Sequence, residues 1–225
     1  GYDGEKVVLP KLHVKANILK SEPDAESLFV EYAETLQERR EARKQSLDER
    51  VAMAKNIART KENCLIWCDY NNESSALHKA IRESVEVKGS DTPEHKEKAM
   101  MGFASGDVKY LVTKPSICGF GMNWQNCHDM IFCGLSDSYE QFYQAIRRCY
   151  RFGQKHEVNV HVIISEKEMN VLNNIKRKQT DHERMSAEMV KVMSESAKVE
   201  LFGQQRKKTD YIPEISMEVP KWLPF

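Results

Sequence analysis

Two arginines and a glutamine at short, regular spacing are the residues of this chain best suited to do chemistry. Gln144, Arg148 and Arg151 lie in the run QAIRRCYRFGQ, at intervals of four and three residues. Residues at this spacing share one face of a helix. Two guanidinium groups that project together suit an anion with several oxygens, such as a triphosphate. The pattern predicts a helix that presents both arginines and then ends at Phe152-Gly153.

The sequence before these arginines argues against the alternative, a solvated basic helix end. The run VKYLVTKPSICGFGMN begins with a short apolar stretch, Tyr110 to Val112, that is typical of a buried strand. The loop that follows contains Gly119 and Gly121, and glycine permits positive φ and close approach of the backbone to a ligand. Residues 130–133 (MIFC) then predict a second strand.

These two segments, in this order, resemble motifs V and VI of superfamily 2 helicases. The form Q-x-x-x-R-x-x-R-x-G-Q is similar to that of the Swi/Snf-type DNA translocases, and the closest resemblance is to phage-borne and bacterial DNA helicases. The resemblance implies that Arg148 and Arg151 act as arginine fingers on the phosphates of ATP. It also implies that Gln144 orients the nucleotide or the attacking water.

Motif V supplies further site residues by the same resemblance. Gly119, Gly121 and Asn123 would bind at the cofactor and couple the state of the nucleotide to the nucleic acid. A phosphate of the nucleic acid would be contacted by Thr113 or by Lys114, because this chain lacks the more usual Ser/Thr-x-Lys at that place.

A third, weaker match lies upstream. The apolar run from residue 63 to 70 leads into the polar cluster NNESS, which predicts a helix with Asn72 or Ser74 as its N-cap. Motif IV of the same helicases has this form, and it assigns Asn71 to a contact with the nucleic acid. An ordinary junction of strand and helix is the alternative. The whole resemblance covers residues 63–165, about half of the chain.

The parts of such an enzyme that hold the nucleotide are missing from the sequence. No Gly-Lys dipeptide is present, so the chain has no P-loop, and its one Asp-Glu pair, Asp48-Glu49, lies in a charged helical stretch. We therefore expect the second lobe alone, with ATP and Mg²⁺ held mainly by an N-terminal RecA-like lobe of the same parent chain. The fragment by itself is predicted to be inactive, because arginine fingers need a phosphoryl group that is held elsewhere.

The expected fold is α/β, a RecA-like parallel sheet flanked by helices, with extra helical segments at both ends. Residues 1–23 are predicted to be an entry strand and linker, with Val14, Ala16 and Ile18 alternating. A charged helical segment (24–62), the core (63–165), C-terminal helices (166–205) and an extended tail (206–225) follow. A stripe of apolar residues at helical spacing is predicted to be a packing face: Met169, Leu172 and Ile175, and later Met185, Met189, Val192 and Met193.

Composition limits the classes of function. The 34 basic and 34 acidic residues cancel, which argues against a protein that coats nucleic acid but leaves room for a local basic track. No apolar run approaches the ~18 residues of a membrane span. The six cysteines lack the C-x-x-C spacing of a zinc site, and we expect them to be reduced. These features predict a cytoplasmic protein with no metal site and no membrane partner, and the resemblance implies a bacterial or phage-infected cell.

Three functions remain in view. The first is the C-terminal lobe of an ATP-dependent DNA helicase or translocase, with DNA as its partner. The second is an RNA helicase lobe, which Gln154 and Asn123 disfavour. The third is a non-catalytic RecA-like interaction module, which the presence of both Arg148 and Arg151 disfavours.

Overall fold

A parallel six-stranded sheet forms the centre of the structure. The computed structural model describes residues 9–21, 32–117 and 122–201, with side chains described as far as residue 194. The strand order is β1-β6-β5-β2-β4-β3, and every pairing is parallel. The strands are β1 (Leu12–Leu19), β2 (Cys64–Trp67), β3 (Ser84–Glu86), β4 (Tyr110–Thr113), β5 (Asp129–Cys133) and β6 (Val158–Ser165).

Helices connect the strands, as a parallel sheet requires. They are α1 (Leu36–Gln45), α2 (Leu47–Ala58), α3 (Asn71–Ala80), α4 (Pro93–Ser105), α5 (Tyr139–Ile146) and α6 (Met169–Leu201). The predicted α/β class, a parallel sheet flanked by helices, is confirmed. The chain divides into two compact units, Gly1–Thr180 and Asp181–Phe225.

The sheet is buried on both faces because successive side chains of each strand point to opposite sides. On one face, strand residues such as Leu65 and Phe132 pack with α4, α5 and the first turns of α6. On the other face, Ile66 and Ile131 pack with α2 and α3. The strands β2, β4 and β5, whose ends carry the predicted motifs, are therefore the most enclosed part of the sheet.

The charged segment before the core is two helices that meet at Ser46. Arg43 of α1 is buried, although most residues of this charged helix are exposed. Arg50 of α2 is fully buried as well. Guanidinium groups are rarely enclosed unless they are paired, so their partners explain why α1 and α2 lie where they do.

Arg50 joins α2 to the carboxyl ends of two strands. Its guanidinium donates to Glu73 Oε1 at 2.8 Å and to the carbonyl oxygen of Cys133, at the end of β5, at 2.9 Å. It also donates to the carbonyl oxygen of Arg43 at 2.6 Å. The second oxygen of Glu73 accepts from the backbone N–H groups of Asp69 and Tyr70, at 3.0 and 3.1 Å. One buried ion pair thus fixes α2, the end of β5 and the start of α3.

Arg43 makes the equivalent junction for α1. It donates to Glu168 Oε1 at 2.7 Å and to Asp69 Oδ2 at 2.8 Å, and it also bonds the carbonyl oxygen of Leu135. Burial lowers the pKa of this guanidinium, but the opposing charges of Asp69 and Glu168 outweigh burial and raise its pKa above the ordinary value. Arg43 is therefore charged at every physiological pH.

The predictions for the two ends of the chain can be compared with β1 and with α6. The predicted entry strand is present as β1, which pairs with β6 at the edge of the sheet. The first residues of the methionine stripe, Met169, Leu172 and Ile175, pack against the core, whereas Met185, Met189 and Met193 are exposed. The tail, 206–225, lies outside the described residues.

Among the described helices, none has both the length and the apolar composition that a bilayer crossing requires.

We expect Arg50→Leu to lower the free energy of unfolding by about 3–5 kcal/mol, because it leaves the Glu73 carboxylate buried without its partner. Adding Glu73→Gln should recover part of this loss, since the amide oxygen still accepts from the start of α3 but carries no charge. Urea unfolding followed by circular dichroism measures both effects. Arg40→Leu, at an exposed position of α1, is the control and should change stability by about 0.5 kcal/mol or less. Equal stability of the Arg50 and Arg40 variants would contradict the junction.

Candidate functional site

Two of the predicted nucleic-acid residues lie together at the carboxyl edge of the sheet. Lys114 follows β4 and Asn71 begins α3, which follows β2, and these two strands are neighbours. Lys114 Nζ donates to Asn71 Oδ1 at 2.6 Å. The first turn of α3 has backbone N–H groups without helical acceptors, so an ammonium group and a helix start face the same solvent. This combination is suited to an oxyanion such as a phosphate.

The start of α3 differs from its prediction. The N-cap is Tyr70, and the predictions of Asn72 and Ser74 are wrong. The reason is Glu73, whose carboxylate accepts from the N–H groups of Asp69 and Tyr70 and so begins the helix earlier. Because Glu73 is held by Arg50, the position of Asn71 depends on a residue of α2.

Thr113 is less accessible than Lys114. Its side chain is fully buried, and its hydroxyl donates to the carbonyl oxygen of Val87 at 3.2 Å. Lys114 is half-buried and keeps its ammonium group at the surface, next to the exposed Asn71. Of the two candidates for a phosphate contact at this place, Lys114 has the better position.

The helix that carries Gln144 ends before it reaches the arginines. Helix α5 stops at Ile146, and Arg148 and Arg151 lie in a series of tight turns. The prediction that all three residues share one helix face is therefore wrong. Gly153 does adopt the left-handed conformation expected of a turn, with φ of 94°. It closes the turns after α5, several residues beyond the end of the helix.

Two backbone carbonyl groups beyond the end of α5 have hydrogen-bond partners outside a helical pattern. The carbonyl oxygen of Arg148 accepts from the N–H of Trp124 at 2.9 Å. The carbonyl oxygen of Cys149 accepts from Gln154 Nε2 at 3.1 Å. In a continuing helix these acceptors would serve the residues four positions later. The segment after motif V, which contains the buried Trp124, thus sets the path of the backbone through both arginines.

A surface groove of about 450 Å³ joins the motif VI residues to the loop that follows β4. Gln144 and Arg148 line it on one side, and Pro115 and Ser116 line it on the other. Trp67, at the end of β2, forms part of the groove, and its indole Nε1 is buried without a hydrogen-bond partner in the structure. The groove therefore offers the guanidinium of Arg148 and the amide of Gln144 to a polar ligand, and its lining also contains Glu140.

Arg151 does not line this groove. It is exposed, and its side chain forms no ion pair or hydrogen bond with the described residues. The sequence predicted a joint role for Arg148 and Arg151, and the structure brings together Gln144 and Arg148 only.

Of the remaining motif V residues, the structure describes Asn123. Gly119 and Gly121 lie outside the described residues, so their predicted role stays a prediction. Asn123 is exposed and immediately precedes Trp124, which is fully buried and packs edge-on against Phe103 at 5.5 Å between ring centroids. The buried Trp124 therefore fixes the backbone next to Asn123.

Gln154 is a functional candidate that sequence reasoning used only to choose a branch of the family. Its side chain is buried, and its Nε2 lies 3.1 Å from the carbonyl oxygens of Gln125, Cys127 and Cys149. Its Oε1 accepts from the N–H groups of the two residues that follow. The signal in the sequence was a glutamine directly after a glycine at the end of motif VI. Its contacts tie motif VI to the segment after motif V.

Neither thiol nor metal chemistry is favoured in the part of the chain that the structure describes. Burial raises the pKa of Cys64, Cys68 and Cys149, and it raises the pKa of Cys133 to about 12, so these thiols are poor nucleophiles. The five described cysteines are free. The described histidine, cysteine, aspartate and glutamate side chains form no cluster of three that could hold a metal ion.

Comparison with known families identifies one domain. Residues 49–153 match the helicase conserved C-terminal domain, which supports a helicase C-terminal lobe. The matched range runs from α2 to the turn at Gly153, so it includes the groove and the Lys114–Asn71 pair. No curated protein matches the sequence.

A solved structure shares the fold. A DEAD box protein from the hyperthermophile Methanococcus jannaschii has a TM-score of 0.52 and 14% identity, over 79% of this chain and 41% of that one. This likeness shows the RecA-like fold of a helicase C-terminal lobe. The C-terminal part of the Fun30 ATPase domain (TM-score 0.49, 20% identity, 57% of this chain, 44% of that one) also matches. So does the DUF1998 helicase MrfA bound to DNA (TM-score 0.45, 13% identity, 54% of this chain, 18% of that one). The chain spans less than half the length of each.

We expect Gln154→Ala to lower the free energy of unfolding by about 1–3 kcal/mol, because buried carbonyl groups lose their shared donor. Hydrogen exchange should also become faster in peptides covering 122–128 and 147–155, whereas peptides of α2 and α3 should stay protected. Mass spectrometry of the exchanged peptides measures this difference. Gln37→Ala, at an exposed position of α1, is the matched control. Uniformly unchanged exchange in the Gln154 variant would show that the side chain does not hold the two segments together.

Proposed function

We propose that this chain is the C-terminal lobe of an ATP-dependent DNA helicase or translocase of the Swi/Snf-like branch. The observation that carries the proposal is the groove in which Gln144 and Arg148 of motif VI face the loop after β4. A guanidinium and an amide that share one groove are suited to a phosphate chain presented by another domain, and Glu140 is the one acidic residue among the described residues of the lining. The match to a helicase C-terminal domain supports the same conclusion.

In this proposal Arg148 is an arginine finger. It is half-buried, and its backbone is fixed by the hydrogen bond from Trp124, so little conformational freedom is lost when its guanidinium meets a phosphate. A preorganised positive charge stabilises the charge that develops on the transferred phosphoryl group. Gln144, one turn earlier and exposed at the groove, orients the nucleotide or the attacking water.

Arg151 is the second finger and acts only when the lobes close. Its side chain is exposed and has no partner among the described residues, so it is available to a surface that approaches from outside. Closure of two lobes around a nucleotide is the usual way in which such an arginine reaches its phosphate.

Lys114 and Asn71 hold the nucleic-acid backbone, with Thr113 supporting the strand end from its buried position. Gly119, Gly121 and Asn123 couple the nucleotide to this grip. The contact that supports coupling is the Trp124–Arg148 hydrogen bond, because it joins the segment after motif V to a finger. DNA is the proposed substrate because motif VI ends in Gln154.

ATP with Mg²⁺ is the proposed cofactor, and both are held mainly by an N-terminal RecA-like lobe. The residues of this chain fit only part of that task. The groove provides donors for phosphate oxygens, but the sequence has no P-loop, and the described residues include no group that could hold a metal ion. Bound Mg²⁺ would neutralise charge on the phosphates. The setting proposed for the parent protein is the cytoplasm of a bacterial or phage-infected cell.

Substitution of each arginine in the protein that carries this chain tests the fingers. We expect Arg148→Ala and Arg151→Ala to lower kcat of the DNA-stimulated ATPase by about 10³-fold or more, because charge on the phosphoryl group loses its stabilisation. Arg147→Ala is the matched control. That side chain lies 5.8 Å from the centroid of the Tyr143 ring and does not line the groove, so turnover should be nearly unchanged.

The possible outcomes separate the proposal from its rivals. Near-normal turnover in either finger variant would show that this arginine is not a finger. Stimulation by RNA but not by DNA would indicate an RNA helicase. The absence of ATPase in the unaltered protein, and of a P-loop in its sequence, would indicate an interaction module.

The 225-residue chain by itself should hydrolyse ATP negligibly, because the fingers have no held phosphoryl group to act on. A coupled-enzyme assay with saturating DNA and ATP measures this. Robust turnover that Arg151→Ala abolishes would contradict the assignment of this chain as one half of a motor.

A further inference from the structure

A second hollow lies at the edge of the sheet opposite to the groove and is lined by five basic residues. The hollow is about 590 Å³ in volume. Its cationic lining consists of Lys55, Arg59, Lys79, Arg82 and Lys109. We refer to it as the basic hollow. One carboxylate, that of Glu83, shares the lining, so the formal charge of these six side chains is 5 − 1 = +4.

The basic hollow lies at the amino edge of the sheet. Lys109 directly precedes β4, and Arg82 and Glu83 directly precede β3. Lys55 and Arg59 belong to the end of α2, and Lys79 belongs to the last turn of α3. Lys114 and Asn71 follow the opposite ends of β4 and β2, so the two sites are separated by the length of the strands.

The charge of the basic hollow is not compensated within the part of the chain that the structure describes. None of its five cations forms an ion pair or donates a side-chain hydrogen bond to a described residue; Lys109 Nζ only approaches the Tyr110 ring, at 5.1 Å from the centroid. Two other lysines of the chain are paired with carboxylates. Lys61 pairs with Asp129 at 2.7 Å, and Lys88 pairs with Glu86 at 2.9 Å.

Helix capping accounts for only part of this arrangement. Cations are favoured at helix C-termini, which explains Lys55 and Lys79 in the last turns of α2 and α3. It does not explain Lys109, which precedes a strand, or Arg82, which lies beyond the end of α3. Cations that share one hollow repel each other, and an anion with several charges removes that repulsion.

We infer that the basic hollow binds consecutive phosphate groups, as found in a nucleic-acid backbone or a free polyphosphate. Arg59 and Arg82 are both exposed and offer planar donor pairs that match phosphate oxygens. Lys109 and the two helix-terminal lysines supply point charges around them. Binding here needs neither ATP nor a second lobe, so it is independent of the function proposed for the groove.

Glu83 gives the hollow a distinctive test. Its backbone has φ of 66°, in the left-handed region that is rare for a residue other than glycine, and this turn carries its carboxylate into the lining. A carboxylate beside five cations repels a phosphate ligand. Glu83→Gln should therefore tighten binding, which is an effect that partial unfolding cannot imitate.

The experiment uses the whole chain and two probes, inorganic tripolyphosphate by calorimetry and a fluorescent DNA duplex of about 20 base pairs by anisotropy. The double variant Arg59→Glu/Arg82→Glu should weaken binding by about tenfold or more, with a shallower salt dependence for the duplex. Arg40→Glu/Lys44→Glu changes the net charge equally at exposed positions of α1 and should have little effect.

The two probes identify the source of the phosphates. Weakening of both probes, with tightening by Glu83→Gln, supports a site for free polyphosphate as well as backbone. Weakening of the duplex alone supports a backbone site. Equal affinities of the two double variants for both probes, or no response to Glu83→Gln, would overturn the inference.

Discussion

The buried arginine–carboxylate pairs at the carboxyl edge of the sheet constrain most of the candidate site. Arg50 and Arg43 are enclosed in the protein, where an unpaired charge is prohibitively unfavourable, so Glu73, Asp69 and Glu168 must meet them. The same carboxylates fix backbone N–H groups at the ends of β2 and β6. Helices α1 and α2 thereby become part of the frame that positions the first residue of α3. The position of the exposed Asn71 therefore depends on the buried ion pair between Arg50 and Glu73.

A second constraint operates around the turns after α5. Trp124 packs in the core against Phe103, and its backbone N–H donates to the carbonyl oxygen of Arg148. Gln154 then draws together three carbonyl groups from the two segments. Buried polar groups must be satisfied, so these bonds resist independent movement of motifs V and VI. The Trp124–Arg148 bond directly links the segment after motif V to the backbone of the proposed arginine finger.

The two edges of the sheet present different electrostatic surfaces. At the carboxyl edge the arginines are paired and buried, and the surface offers single cations such as Lys114 beside a helix start. At the amino edge the cations of the basic hollow are numerous and unpaired among the described residues. The C-terminal ends of α2 and α3 lie there, together with the residues that precede β3 and β4. A chain with no net charge thus has a strongly positive local surface, because its acids are used elsewhere in pairs and caps.

The sequence by itself determined the α/β class, the strands that carry the motifs and the family resemblance. These features depend on local properties: apolar runs, glycine positions and the spacing of Gln144, Arg148 and Arg151. Only the tertiary structure decided the path of the backbone after α5, since the carbonyl group of Arg148 accepts a hydrogen bond from Trp124, in another segment of the chain. It also decided which charged residues are buried. Arg43 and Arg40 belong to the same charged helix, and only long-range partners, Asp69 and Glu168, distinguish the first from the second. Patterns in sequence report local propensity, whereas desolvated charges and shared acceptors are settled by contacts between residues that are distant in the chain.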